Sequence, residues 1–303
     1  MTAAALLTYA AAVGMAGPLM LRGPRWAHRS PGPALAVWLG LSLSFIAAVI
    51  LAAAQAVPPD GRVHTGLIGL LHACGLALGT PVDAPGAREA ALVVAGWTPP
   101  VAVALWVGFW YGRALLRGRR WRRRHAAAVD LVGRYAPRHQ AVVLQHDAPA
   151  AYCLPGRDPR IVITQGTLDT LSPLQLAAVL AHERAHITGR HHLVLAAVEA
   201  FGRAFPGLPL ARQSHTEVAL LLEMLADDRA VRSHGGDAVA VALCEVAAGS
   251  APKAAFAAGG SGALVRIRRV LTPAPAHPLV LRSTILLVAG LTPAIPFLVA
   301  CSA

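Results

Sequence analysis

Two histidines four residues apart frame a glutamate in the run Ala181-His182-Glu183-Arg184-Ala185-His186. On a helix that spacing puts both imidazoles on one face, where they can share a metal ion, and sets Glu183 beside the open position as a general base. A catalytic zinc also needs a third protein ligand. Glu223 is the expected one, because it lies on a separate helix and Asp227, one turn on, faces the same way and can accept a hydrogen bond from a ligand imidazole. The chemistry these residues suggest is zinc-dependent hydrolysis, with one Zn2+ per chain held by His182, His186 and Glu223. Glu183 is the catalytic residue and Asp227 supports a ligand from behind.

Other acidic and histidine residues compete for the third position. Glu217 falls on roughly the opposite face of Glu223's helix, and Glu199 has Arg203 as an i+4 partner. His191 and His192 follow Gly189 too closely to join the metal without an unusual turn. A developing oxyanion needs a further donor, and His192, Arg266 and Arg268 are the candidates.

The motif needs a helix, and the sequence supplies one. Ser172-Pro173-Leu174-Gln175 is a capping box with proline at the first helical position, Leu176, Val179 and Leu180 make the helix apolar, and Gly189 is a plausible stop. In such a half-buried setting both histidines need partners, which favours a metal over a solvated helix face that carries the pattern by chance. Residues 141–145, 151–154 and 160–164 read as strands of a small sheet ahead of the motif. Ala151, Tyr152, Cys153 and Leu154 form a candidate edge strand that would bind an extended substrate backbone by strand addition. Residues 216–232 and 238–248 read as helices, and 193–210 as a buried or membrane-grazing one.

Composition places these elements beside lipid. Across 303 residues the hydrophobic content is 55%, the charged content 14% and the mean hydropathy +0.53, which suits a chain partly in a bilayer. Residues 1–21, 34–57 and 90–112 read as membrane spans, and 278–303 as a fourth with a short tail. The first shows no basic region ahead of its apolar run, which favours a retained helix over a signal peptide. Residues 63–82 read as an outer re-entrant or interfacial segment, because a full crossing would put seven arginines between Arg113 and Arg124 outside. The formal charge of +12 is concentrated beside apolar runs, so it marks membrane flanks and anionic-lipid contact, with no direct nucleic-acid binding expected. Cys74, Cys153, Cys244 and Cys301 are scattered without CxxC spacing. The expected architecture is a mainly α multi-pass membrane protein. Residues 1–124 form its membrane region, and an α+β zinc domain over 125–277 is inserted between the third and fourth spans. The domain is expected in the cytoplasm and both termini outside.

The pairing of His182-Glu183-Arg184-Ala185-His186 with Glu223-Met224-Leu225-Ala226-Asp227 resembles the integral-membrane zinc peptidases of the BlaR/MecR type, with HtpX-type peptidases as more distant kin. The order of three spans, zinc domain and fourth span is similar too, as is the approach from Tyr152 through Ile163 to the capping box. The resemblance implies a gluzincin-type zinc metalloendopeptidase acting on a protein or peptide, and the leading expectation is a regulatory protease that clips a cytoplasmic transcriptional repressor, as some members of the BlaR/MecR type do. Only Cys301-Ser302-Ala303 follows the fourth span, so the C-terminal penicillin-binding sensor of that type has no counterpart in this sequence. An HtpX-like peptidase of membrane-protein quality control is the alternative, and a signal transducer with a merely structural zinc is a second.

Overall fold

Long alanine- and leucine-rich stretches without charge become the first helices. The computed structural model describes residues 2–21, 25–55, 87–250, 256–272, 275 and 277–301. Helices α1 (Thr2–Met15) and α2 (Gly17–Leu21) are followed by the short α3 (Arg25–Arg29) and by α4 (Pro31–Ala54), which prolines open at its first turn. The expected outer segment 63–82 lies outside the described residues.

Among the described residues three stretches are long and apolar enough to cross a membrane: Thr2–Leu21, Pro31–Ala54 and Leu279–Cys301. The expected third span, 90–112, is not among them. It forms part of α5 (Ala87–Val132), one helix of 46 residues that continues through the whole arginine block. The boundary expected at 124/125 therefore falls inside a helix. Alanine and arginine are good helix formers, and the helix runs on past Pro99 and Pro100 as far as Gly133, whose amide bonds to Val129 at 2.8 Å.

A four-stranded sheet follows, made of β1 (Arg134–Ala136), β2 (Ala141–Leu144), β3 (Ala151–Leu154) and β4 (Arg160–Thr164) in the order β1-β2-β4-β3. Strands β2 and β4 run parallel, while β3 lies antiparallel on the outer edge of β4. Alternation gives the sheet two apolar faces. Ala141, Val143, Ile161 and Ile163 pack with Leu176 and Leu180, and Val142, Leu154 and Val162 pack on Val129 of α5.

Eight helical segments follow among the described residues: α6 (Gln165–Thr170), α7 (Pro173–Thr188), α8 (His191–Ala204), α9 (Pro209–His234), α10 (Gly236–Ser250), α11 (Phe256–Leu271), α12 (Leu279–Leu291) and α13 (Ile295–Cys301). A 3₁₀ turn over Thr292–Ala294 separates the last two. The largest core joins Trp38 and Phe45 of α4 to Val198 and Phe201 of α8 and to Val218, Leu221, Leu222 and Met224 of α9. Helix α9, which carries Glu223 and Asp227, thus shares one core with the membrane-type α4 and, through Ala10, with α1. Gly40 lets α4 approach α12 closely, since a Cβ there would stand 2.5 Å from the Ala289 carbonyl oxygen.

Candidate metal centre

Helix α7 begins with the expected capping box: Gln175 N donates to Ser172 Oγ at 3.4 Å, and Ser172 N donates to Gln175 Oε1 at 2.8 Å. The buried Leu176 and Leu180 seat one side of α7 on the sheet. His182 and His186 then project toward α9, which supplies Glu223 and Asp227.

The three expected ligands converge. His182 Nε2 lies 3.1 Å from His186 Nε2, His186 Nε2 lies 3.3 Å from Glu223 Oε1, and His182 Nε2 lies 3.5 Å from Glu223 Oε2. Tetrahedral coordination with bonds of 2.0–2.1 Å separates ligand atoms by roughly 3.3 Å. His182, His186 and Glu223 are the metal-capable group among the described residues, with one ligand atom from each within 4.8 Å of the others. Two imidazole nitrogens and one carboxylate oxygen form a donor set suited to zinc.

The surrounding charges are arranged by burial and pairing. Asp227 is fully buried, and its Oδ1 lies 3.0 Å from His182 Nδ1, although the contact is too bent to be a well-formed hydrogen bond. Arg266 of α11 closes the cluster. Its Nε and Nη2 each donate to Asp227 at 2.8 Å, and its Nη1 meets Glu223 Oε2 at 2.7 Å. Burial alone would raise both carboxyls, but the neighbouring Arg266 guanidinium and His182 imidazole overcome it and hold Asp227 and Glu223 at about 2. Burial lowers His186 to about 4, whereas for His182 the carboxylates of Asp227 and Glu223 outweigh burial and raise it to about 9. Glu183 is shifted upward by burial, with His182 and a hydrogen bond from the Cys153 thiol pulling the other way.

The remaining candidates separate. Of the three proposed oxyanion donors, only Arg266 is at the cluster, and there it is bound to two carboxylates. Arg268 is exposed, being about 200° further round α11. His192 has Arg122 and Arg190 as its charged neighbours. Glu199 is exposed, and no ion pair joins it to Arg203 among the described residues. Glu217 acts on His28, away from the cluster. Strand β3 is at the sheet edge, with Ala151 lining the cavity beside the cluster. That cavity, about 190 Å³, has a polar end at His182, Glu183 and Glu223 and an apolar end at Ala178, Val239, Ala242 and Val246.

Two features escape the sequence reading. Helix α11, which brings Arg266 to Asp227 and Arg269 to Asp228, lies in a glycine- and alanine-rich stretch where its only signal is arginine spacing. His191 reaches the cluster through the very kind of unusual turn that its spacing from Gly189 requires. Arg190 adopts a left-handed conformation at φ 49°, and His191 Nδ1 comes to 2.7 Å from His186 Nδ1.

Residues 116–226 match the model of peptidase family M48. A 62-residue stretch is 39% identical to a protein named Protease HtpX homolog 2 from Methanosarcina acetivorans, covering 20% of this chain and 21% of that protein. The chain thus matches about a fifth of that relative's length. No solved structure matches. The similarity found lies on the HtpX side of the expected resemblance.

Proposed function

We propose that this protein is a membrane-bound zinc metallopeptidase that hydrolyses peptide bonds in a protein or peptide substrate. The observation that carries the reading is the convergence of His182, His186 and Glu223 at ligand-to-ligand spacing, with Glu183 beside them, inside the segment that matches family M48. Bound there, zinc supplies the Lewis acidity that brings the pKa of water close to neutrality. Glu183 accepts the proton and passes it to the leaving amine, a role suited to a carboxylate whose burial raises its proton affinity. Glu223 keeps Oε1 toward His186, while Arg266 holds Oε2, the oxygen nearer His182.

Substrate is held in extended form along β3, beside α7. One side chain enters the apolar end of the cavity, whose 190 Å³ exceeds the roughly 150 Å³ that accommodates benzene in an engineered core. The arginines of Arg113–Arg124 support a cytoplasmic position for the site, and outer positions for both termini require residues 90–112 to cross the membrane as well. The similarity to an HtpX homolog favours a quality-control peptidase acting on membrane proteins. Cleavage of a cytoplasmic repressor is the other reading the same site supports, and comparison of fragments from wild-type and Glu183→Gln cells separates them. Membrane-protein fragments are expected under the first reading and one repressor fragment under the second.

The test is metal dependence. Purified full-length protein in detergent should cleave an unfolded protein substrate, lose that activity to a chelator and recover it with zinc. Proteolysis that survives complete zinc removal would refute the reading.

A further inference from the structure

Each histidine of the metal-capable group turns its Nε2 toward the other and toward Glu223, so each has its Nδ1 pointing outward. The two outward nitrogens meet different partners. His182 Nδ1 faces the Asp227 carboxylate, whereas His186 Nδ1 lies 2.7 Å from His191 Nδ1. An imidazole that gives Nε2 to a metal must carry its proton on Nδ1, and that proton needs an acceptor.

The local backbone is shaped to supply one. Arg190 takes the left-handed conformation, uncommon for a residue with a side chain, and thereby turns the chain sharply from α7 into α8. At Gly189 a Cβ would stand 2.5 Å from His191 Nε2, so only glycine lets the ring lie where it does. His191 is 8% exposed, and its ring stands at 89° to that of His186 with centroids 4.7 Å apart. A left-handed arginine, an obligatory glycine and a buried ring edge all serve one contact.

We infer that His191 is a positioning residue for the metal site, accepting the Nδ1 proton of His186 and so fixing that ring as an Nε2 ligand. This rests on the proposed zinc reading. It makes the two ligand histidines unequal, one backed by a carboxylate and the other by a neutral imidazole. His191 itself then carries its proton on Nε2 and leaves Nδ1 free to accept.

The test is zinc affinity of the purified full-length protein, measured by competition with a chromogenic chelator. His191→Phe keeps a ring but removes the acceptor, and His191→Asn keeps an acceptor near the position of Nδ1. The phenylalanine variant is expected to bind zinc about 10- to 100-fold more weakly, with the asparagine variant recovering most of the loss. Thermal unfolding of the metal-free proteins separates this from misfolding, since the two variants should melt together while their zinc affinities differ. Wild-type affinity in His191→Phe, or an equal loss in both variants, overturns the inference and leaves the zinc reading standing. Failure of the wild type to bind zinc overturns the zinc reading itself.

Discussion

Arg266 is the residue on which the cluster's electrostatics turn. It donates twice to a fully buried Asp227 and once to Glu223, so its removal leaves two carboxylates facing each other across a ligand histidine. Arg266→Ala should destabilise the protein by about 3–5 kcal/mol, the usual cost of breaking a buried pair from one side. Arg160→Ala, which breaks an equally short pair with the half-exposed Asp130, should cost no more than about 1 kcal/mol. Thermal unfolding of the two variants checks the contrast, and equal losses would mean that burial does not govern these pairs. The sequence showed Arg266 only as one of three possible donors. Its true neighbours depend on how α11 packs on α9, and no short-range pattern records that.

At the scale of elements, α7 was the most legible, because its start, its apolar face and its chemistry all lie within seventeen consecutive residues, from Ser172 to Thr188. Strands β2, β3 and β4 were also visible, since short apolar runs separated by turns are a local signal. Strand β1 and helix α11 were not, the first being too short and the second too rich in glycine to stand out before packing. The cavity between α7 and α10 is likewise a product of packing. Its apolar end depends on Val239, Ala242 and Val246 falling on one stripe of α10. Ala242→Phe should fill that end and shift cleavage toward substrates with smaller side chains there, through KM more than kcat. Sequencing the products from a peptide library checks this, and an unchanged profile would remove the cavity from substrate selection.

For the whole molecule, the sequence suggested a water-soluble domain attached to spans, and the structure shows a closer union. Trp38 and Phe45 of a membrane-type helix pack in the same core as Phe201 and Met224, so α9, which carries Glu223 and Asp227, is seated directly on an apolar helix. The sequence could not show this, because the apolar face of α4 reads the same whether it meets lipid or protein. Gly40→Leu should loosen the contact of α4 with α12 and lower thermal stability, since the Ala289 backbone has no room for a side chain. If the full-length variant melts at the wild-type temperature, this contact is dispensable. If the cluster serves hydrolysis with Glu183 as its base, Glu183→Gln in the full-length protein should keep the metal and lose the activity. Zinc content and proteolysis of an unfolded protein are measured side by side. One zinc per chain with proteolysis abolished is the expected result, and undiminished proteolysis would mean that Glu183 is not the base.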